Sequence, residues 1–268
     1  MNSRPNGQPA FGSLTHEPAG QCAVVSGGVG ARPRAGGGFV KVVQPNLPEI
    51  LRALALLAEP GQVIELRLLE VQAQGPRIPT TMSGYFDDFK LLANNAIKYG
   101  GLAKGVYITL NPVSLALLAR ASNRLRAVGK HDSLTGDADI TSRRWLPIDL
   151  DPVRPSGISS TDQEHALAVE RALEIREALS KAGWPGPIVG DSGNGAHLLY
   201  RVELPTSDNE LVKLCLQALA RRFDDDLVKI DQAVFNPARI WKLYGTVSRK
   251  GDSVQQRPHR LSRIVEVP

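Results

Sequence analysis

The segment Trp145–Pro152 (Trp-Leu-Pro-Ile-Asp-Leu-Asp-Pro) constrains the fold most, because it sets two carboxylates one residue apart inside an apolar run. Side chains alternate between the two faces of a strand, so an extended backbone places Asp149 and Asp151 on one face. Ile148 and Leu150 then point into a core. The pattern therefore predicts a strand whose accessible face carries a pair of acids.

This acid pair predicts either a cation site or an ordinary strand end. Carboxylates this close repel each other unless a cation lies between them or one of them holds a proton. Oxygen ligands on a strand suit a hard divalent metal, Mg²⁺ or Mn²⁺. The alternative is that the acids are solvated or paired with Arg143, Arg144 or Arg154. An Asp-x-Asp motif is short, so its context has to decide.

Length and composition limit the class of protein. The 268 residues suffice for one large domain or two small ones, and a hydrophobic content of 42% can fill a core. The chain has no run of eighteen apolar residues and no signal-peptide pattern, so we expect a soluble cytoplasmic protein without a membrane partner. Cys22 and Cys215 lack metal-site spacing, which argues against zinc or a disulfide framework. The net charge of +5 is compatible with a polyanionic partner.

The chain divides into an arm and one folded unit. Residues 1–44 are rich in Gly and Pro and poor in apolar side chains, so we expect a disordered or loosely attached arm. Residues 45–268 alternate helical and strand patterns, which predicts one mixed α/β unit with an antiparallel sheet covered on one face by helices. The predicted helices are 46–58, 85–99, a segment after Asn111-Pro112 with Arg120, Arg124 and Arg126 at its basic end, 161–181, one opened by a Ser207–Glu210 capping box, and 236–245; the predicted strands are 63–71, 105–110, 187–189 and 196–202.

The segment Ser192-Gly-Asn-Gly-Ala-His197 connects two predicted strands as a hairpin turn. Its glycines let the backbone turn tightly and approach a ligand closely. His197, on the strand that follows, can donate a hydrogen bond to a phosphate oxygen. The alternative interpretation is an Asn-Gly turn followed by a structural histidine.

Two later features extend the set of candidates. Ile230-Asp231 is a second apolar–acid step, and Asp231 is a candidate third metal ligand, whereas the acids Asp224–Asp226 are interpreted as a solvated helix end. On the helix predicted for 236–245, Arg239 and Lys242 are three residues apart and share a face, where they would present two cations to an anion such as a triphosphate. The alternative is an ordinary surface pair, and the same choice applies to Lys250.

In their order along the chain, these motifs resemble those of the archaeo-eukaryotic primase (prim-pol) superfamily, especially its bacterial plasmid, phage and mobile-element members. Asp149 and Asp151 match the first family motif, Asp-x-Asp, and Ile230-Asp231 matches the third. Gly195-Ala-His197 matches the second, with Gly195 where a serine often stands and Ser192 slightly upstream. The resemblance covers about residues 100 to 262.

The resemblance implies an α+β fold, with an RRM-like antiparallel catalytic sheet and its helices packed against an N-terminal α/β unit. It implies a DNA primase/polymerase that makes or extends primers on a single-stranded DNA template from nucleoside triphosphates. Mg²⁺ or Mn²⁺ would be held by Asp149, Asp151 and Asp231, with His197 also in the catalytic group. Family habit further implies a replicative helicase, or further domains of the same polypeptide, as a partner.

The same resemblance implies which residues contact phosphates. The expected nucleotide-binding residues, which would neutralise or hydrogen-bond the triphosphate, are Ser192, Asn194, His197, Arg239, Lys242 and Lys250. Basic residues beyond them would follow the template backbone, namely Arg257, Arg260 and Arg263, with His259 beside them.

Two other functions stay open from the sequence. A two-metal nuclease would use the same three aspartates, but it needs no clamp for a triphosphate. A non-catalytic nucleic-acid-binding module would need only basic surface, and it leaves the acid pair unexplained because bare carboxylates repel phosphate.

Overall fold

Two antiparallel five-stranded sheets form the frame of the protein. We describe it from a computed structural model, which covers residues 42–72 and 78–268. Most of the arm predicted for 1–44 lies outside the described residues, so that assignment stays a prediction. No helix within the described ranges is both long and apolar enough to cross a membrane.

The described residues contain four α-helices, three short 3-10 helices and twelve strands. The α-helices are α1 (Leu47–Leu57), α2 (Phe89–Gly100), α3 (Asp162–Lys181) and α4 (Leu211–Phe223). The 3-10 helices are Leu115–Arg120, Asp137–Asp139 and Gln232–Phe235. The strands are β1 (Ile64–Val71), β2 (Thr80–Phe86), β3 (Gly105–Thr109), β4 (Arg126–Ala127), β5 (Arg143–Pro152), β6 (Ile188–Asp191), β7 (Ala196–Leu204), β8 (Val228–Ile230), β9 (Ile240–Lys242), β10 (Val247–Ser248), β11 (Arg260–Leu261) and β12 (Arg263–Glu266).

The chain forms the first sheet, then the second, returns to the first at β9 and finally adds β12 to the second. The first sheet has the order β4-β2-β1-β3-β9 and the second β12-β6-β7-β5-β8, and β10 pairs separately with β11. Every one of these pairings is antiparallel. The α+β class with antiparallel sheets is thereby confirmed. Since β9 follows β8 in the chain but pairs with β3, the two sheets are linked in both directions.

Helices bury the apolar faces of both sheets. α1 and α2 pack on each other, and α2 also packs on β1, β2 and β3, while α3 packs on β5 and β7 and α4 on β8. Fully buried residues of both sheets, such as Leu66 in β1 and Leu198 in β7, belong to one apolar cluster. Burial of this apolar surface is the main favourable term in folding. The two sheets therefore share a core, which fixes whatever side chains line the space between them.

Several predicted elements are confirmed at their ends. The Asn46 side chain accepts a hydrogen bond from the Glu49 amide at 3.1 Å and begins α1. Thr161 and Glu164 form the predicted reciprocal capping box at the start of α3. The hairpin is also confirmed, because β6 and β7 pair antiparallel on either side of the 192–195 turn.

Other predicted boundaries are wrong. The Ser207–Glu210 capping box is absent, since Glu210 has a left-handed backbone with φ 62° and caps nothing with its side chain; Asp208 accepts from the Val212 amide instead. The helix predicted from Tyr85 begins only at Phe89, because Tyr85 belongs to β2.

Two predicted helices are shorter or missing. After Asn111-Pro112 the chain makes only the 3-10 helix Leu115–Arg120 and then enters β4. The helix predicted for 236–245 is a strand, β9, whose residues 240–242 pair with Thr109 to Tyr107 of β3. An open sheet edge offers hydrogen bonds to a bulky Ile-Trp segment, and this tertiary pairing outweighs the local helical spacing.

Substitution of Gly195 tests how closely the hairpin turn approaches β5. A Cβ at this position would lie 2.1 Å from the Leu150 carbonyl oxygen, a backbone atom that cannot move aside. We expect Gly195→Ala to destabilise the protein by more than about 2 kcal/mol in urea unfolding. The matched control is Gly101→Ala, where a Cβ would meet nothing within 4 Å, and we expect a change within about 0.5 kcal/mol. Equal effects of the two substitutions would contradict the close approach.

Candidate active site

A cleft of about 260 Å³ lies between the two sheets and collects the predicted site residues. Its lining includes every residue predicted to bind metal or nucleotide, namely Asp149, Asp151, Ser192, Asn194, His197, Asp231, Arg239, Lys242 and Lys250. The sequence did not indicate the remaining lining residues, which are Leu69, Tyr107, Val234, Ile240, Trp241 and Ser248. Residues up to 181 positions apart in the chain thus share one space, from Leu69 to Lys250.

Strand β5 places the acid pair on the cleft side of the second sheet. Ile148 and Leu150 are fully buried, as the alternation predicts. The side chain of Asp149 is 22% exposed and that of Asp151 is 41% exposed. Asp151 pairs with Arg154 at 3.2 Å, so one of the arginines named as alternative partners does contact the pair.

Asp231 joins the pair through the neighbouring strand. β8 pairs with β5 and ends at Ile230, and the Asp231 amide then donates to the Asp149 carbonyl at 2.8 Å. One carboxylate oxygen of Asp231, Oδ1, caps the following 3-10 helix by accepting from Ala233 at 2.8 Å. The position of this third acid is therefore set by backbone on both sides.

Asp149 lies in surroundings that disfavour its charged form. Burial raises the pKa of Asp149 above its ordinary value, and His197 opposes that rise, while the charges of Asp151 and Asp231 add to it. Within 42–72 and 78–268, however, no three His, Cys, Asp or Glu side chains stand close enough together to bind one metal ion. The acids share the cleft, but their side chains are not gathered around a point.

His197 is held by an aromatic network that sequence reasoning missed. It lies directly opposite Asp149 in the β5–β7 ladder, and its Nε2 is 3.4 Å from Asp149 Oδ1. Its Nδ1 is 2.9 Å from the Tyr244 hydroxyl, which also receives a hydrogen bond from Trp241 Nε1 at 3.2 Å. The imidazole packs on the Trp241 indole with 4.2 Å between ring centroids.

Donor and acceptor roles in this network assign the histidine tautomer. An indole N–H only donates, so Tyr244 accepts from Trp241 and has its own hydrogen left to give. Burial raises the pKa of Tyr244, which keeps that hydroxyl protonated. Nε2 of His197 faces the Asp149 carboxylate, which accepts, so both ring nitrogens are satisfied when the ring hydrogen is on Nε2 and Tyr244 donates to Nδ1.

Gly190 makes room for the Tyr244 ring. Gly190 lies beside His197 in the β6–β7 ladder. A Cβ there would lie 2.3 Å from the Tyr244 hydroxyl oxygen and 2.6 Å from two ring carbons. Only a residue without a side chain at this position leaves space for the Tyr244 ring beside His197. No motif in the sequence indicates this arrangement, since the three partners come from separate segments.

The hairpin turn supplies two polar side chains that still have hydrogen-bond donors free within the described part of the chain. The Ser192 hydroxyl oxygen accepts from the Gly195 amide at 2.8 Å, which leaves its hydrogen to donate. Asn194 Oδ1 accepts from the Ser160 amide at 2.9 Å, and its side-chain NH₂ donates to none of the described residues. Both residues fit the predicted role of donors to phosphate.

Lys242 reaches the cleft from a strand, which corrects the prediction that it shares a helical face with Arg239. It lies opposite Tyr107 in the β3–β9 ladder, and its ammonium is 5.6 Å from the centre of the Tyr107 ring. Its Nζ donates to the Val247 carbonyl at 2.9 Å. Burial, with smaller contributions from Arg249 and Lys250, lowers the pKa of Lys242 to about 7.

Arg239 brings an unsatisfied donor to the same cleft. Its guanidinium donates to the Ala233 carbonyl, but its Nε is buried and has no hydrogen-bond partner among the described residues. A buried N–H without an acceptor costs free energy that a ligand oxygen can recover. Arg239 and Lys242 thus both enter the cleft, although from a loop and a strand.

The C-terminal arginines do not line this cleft. Arg257 forms a two-pronged pair with Glu164 at 2.8 and 2.9 Å. Arg260 contacts Asp162 at 2.6 Å and the Ser160 carbonyl at 2.9 Å. Arg263 is 65% exposed and lies 3.7 Å from Asp191. The first two arginines hold loops around the hairpin, and the third has the most exposed side chain.

The comparisons with known proteins add nothing to this geometry. No protein-family model matches the sequence, and neither the curated proteins nor the solved structures contain a match. The site must therefore be judged on its own residues.

Tyr244 and Tyr200 offer a matched test of the aromatic network. Tyr244→Phe leaves two buried nitrogens without a partner, so we expect it to lower the free energy of unfolding by about 1–3 kcal/mol. Tyr200 is the control, since its hydroxyl is buried without any partner among the described residues, and Tyr200→Phe should be neutral or stabilising. Urea unfolding gives both free energies, and nitrogen chemical shifts of His197 should show loss of the single tautomer only in Tyr244→Phe. Equal unfolding free energies would contradict the network.

Proposed function

We propose that this chain is a primase-polymerase, an enzyme that transfers nucleotides to a 3′-hydroxyl under the direction of a single-stranded DNA template. One observation carries the proposal. Three aspartates that suit divalent metal, and basic and polar groups that suit a triphosphate, line a single cleft between the two sheets. Neither set alone indicates polymerisation, but their combination in one cleft is what the reaction requires.

The acids fit a divalent cation by their chemistry. Asp149, Asp151 and Asp231 would hold Mg²⁺ or Mn²⁺, because hard oxygen ligands favour these ions. Burial, with smaller contributions from the charges of Asp151 and Asp231, raises the pKa of Asp149, and a bound cation would favour its charged form. When bound, the metal activates the attacking hydroxyl and stabilises the leaving group. To bind the metal, the Asp151 carboxylate must either keep its contact with Arg154 through one oxygen or break that contact.

The remaining lining residues fit the triphosphate. In the transfer, a 3′-hydroxyl oxygen bonds to the α-phosphorus and its proton passes to solvent, while the bond from the α-phosphorus to the bridging oxygen breaks and pyrophosphate leaves with that oxygen. Negative charge grows on the leaving oxygens. Arg239 and Lys242 would neutralise it, and the Nε2 hydrogen of His197 would donate to it. Lys250, with the Ser192 hydroxyl and the Asn194 NH₂ group, would complete the contacts.

The two sheets fit the architecture that the family resemblance implies. In this proposal the second sheet, with α3 and α4, is the RRM-like catalytic sheet because it carries Asp149, Asp151 and His197. The first sheet, with α1 and α2, corresponds to the N-terminal α/β unit. It contributes Tyr107 and Lys242, so the cleft needs both parts.

The alternatives explain less of the cleft. A two-metal nuclease accounts for the acids, but it leaves the buried cation Lys242 and the unsatisfied Arg239 Nε without a role. A non-catalytic binding module gives the three acids no role, and their negative charge would weaken binding to phosphates. The C-terminal arginines contribute less to either alternative than the sequence suggested, since Arg257 and Arg260 already have acidic partners.

Removing one carboxylate tests the metal assignment. We expect Asp149→Asn to lower template-dependent incorporation of labelled nucleotide by at least about 100-fold, because the site loses a charged ligand that acts on the reacting groups. Affinity for a single-stranded oligonucleotide should stay close to that of the wild type. The matched control is Asp226→Asn, an exposed acid of the run that sequence reasoning excluded. Normal synthesis by Asp149→Asn would remove the assignment.

The low pKa of Lys242 predicts proton uptake on triphosphate binding. In the free protein the pKa is about 7, so the side chain is largely neutral at pH 8 and largely protonated at pH 6. A bound triphosphate favours the charged form and raises the pKa. We expect uptake of about one proton per nucleotide at pH 8 and little at pH 6. Titration calorimetry in buffers of different ionisation enthalpy measures the uptake.

Lys242→Met is the control for this uptake, since it keeps the volume and removes the titrating group. Its calorimetric proton uptake at pH 8 should fall to near zero. Uptake equal to that of the wild type would show that another group takes the proton, and would remove Lys242 from the triphosphate site.

A further inference from the structure

A second groove continues the cleft beyond Asp151. It has a volume of about 520 Å³, and we call it the side groove; it is lined by Lys104, Asp151, Pro152, Val153, Arg154, Pro155, Ser156, Gly157, Lys229 and Lys250. It shares only Asp151 and Lys250 with the cleft. A ligand in one space would therefore meet a ligand in the other at the acids.

The side groove is basic. Four of its side chains are cationic, and its one acid, Asp151, is paired with Arg154. Lys229 lies directly opposite Asp151 in the β5–β8 ladder, so both side chains leave the same face of the sheet. Within the described residues neither Lys229 nor Lys250 has an ion-pair partner, whereas Lys104 meets Glu70 at 2.9 Å in an exposed pair of little strength. The groove therefore carries positive charge, on Lys229 and Lys250, that no ion pair within the described residues neutralises.

The backbone around the groove is fixed. Arg154 donates to the carbonyls of Ile158 and Pro152 at 3.2 and 3.0 Å, so it holds the 152–158 loop. Gly157 and Gly251 both have positive φ, and a Cβ on Gly251 would lie 2.8 Å from the Gly157 carbonyl oxygen. Arg154 is thus committed to the loop, and the lysines remain as the groups that can meet a ligand.

The acids lie between two basic regions. Asp149 of β5 accepts from the Asp231 amide through its carbonyl, and both acids line the cleft together with Arg239. Asp151, two residues further along the same face of β5, also borders the side groove with Lys229 and the loop after the strand. A transfer reaction joins two reactants at one acidic centre, and both carry phosphates. The region of Arg239 and Lys242 suits one triphosphate, which leaves the side groove for the other reactant.

We propose that the side groove binds the phosphates of the reactant that supplies the 3′-hydroxyl. This rests on the proposed function and names a second substrate position in it. The phosphates have two possible sources. One is the 5′-triphosphate of a nucleotide that starts a strand, and the other is the phosphodiester backbone of a primer. The lysines recognise the charge that both share, and the experiment separates the sources.

Binding measured without metal tests the groove independently of catalysis. The probes are inorganic tripolyphosphate and a labelled single-stranded DNA octamer, titrated into the full chain in EDTA. We expect Lys229→Glu and Lys104→Glu each to weaken binding of one probe about tenfold. For the octamer, the dependence of log affinity on log salt should fall by about 0.7 for each lysine that contacts the strand.

Lys90→Glu is the matched control, because Lys90 is exposed on α2, on the side of the first sheet away from the cleft. It should change both affinities less than twofold, and all variants should keep the melting temperature of the wild type. Lys229→Gln, a milder change, covers the case in which a charge reversal disturbs the fold. Affinities for both probes that match those of Lys90→Glu would overturn the proposal.

Kinetics then identify the source of the phosphates. If the groove holds an initiating nucleotide, Lys229→Glu raises the concentration of the first nucleotide needed for half-maximal dinucleotide formation, by about tenfold, and leaves that of the second unchanged. If it holds a primer, the required primer concentration rises instead. An increase confined to the incoming nucleotide overturns the assignment. Lost probe binding in a protein that makes no product under any condition would refute the proposed function but leave the phosphate site standing.

Discussion

The pairing of β5 with β8, which brings three carboxylates into one cleft, is the constraint on which the site depends. Asp149, Asp151 and Asp231 line that cleft because the two paired strands and a backbone hydrogen bond between Asp231 and Asp149 set them there, although their side chains are not gathered around one point. The fold tolerates this with two partial compensations, Arg154 at Asp151 and His197 at Asp149. Burial still raises the pKa of Asp149, and His197 offsets only part of that rise. The cost of burying Asp149 is met by the apolar core that both sheets share.

The return of the chain to the first sheet at β9 links the position of His197, beside the acids, to the position of Lys242. β9 carries Trp241 and Lys242, and Tyr244 follows it directly. Trp241 and Tyr244 orient His197 of the second sheet, while Lys242 faces Tyr107 of the first. One six-residue segment, 240–245, therefore positions a histidine beside the acids and a lysine in the same cleft. Displacing β9 would disturb both, so the two halves of the site depend on one strand pairing.

The sequence predicted what local patterns control. Alternation around Asp149 predicted β5 and its faces, the Asn-Gly turn predicted the hairpin, and caps at Asn46 and Thr161 predicted two helices. The sequence-based predictions were wrong where a contact with a residue distant in the chain determines the structure. The spacing of Arg239 and Lys242 fits a helix as well as a strand, and only the edge of β3 selects the strand. Likewise, the positive charge of Arg257 suggested a contact with the template, but Arg257 is paired with Glu164. The roles of Tyr244 and Gly190 depend on contacts between separate segments.

The most direct test of a metal and triphosphate site in the cleft is a crystal structure with Mn²⁺ and a non-hydrolysable nucleoside triphosphate, recorded at a wavelength that shows manganese by anomalous scattering. We expect anomalous density at Asp149, Asp151 and Asp231, with the triphosphate on Lys242, Arg239 and the His197 Nε2 hydrogen. Manganese or nucleotide bound elsewhere, with Asp151 still paired to Arg154 and Asp149 to His197, would contradict the proposed site.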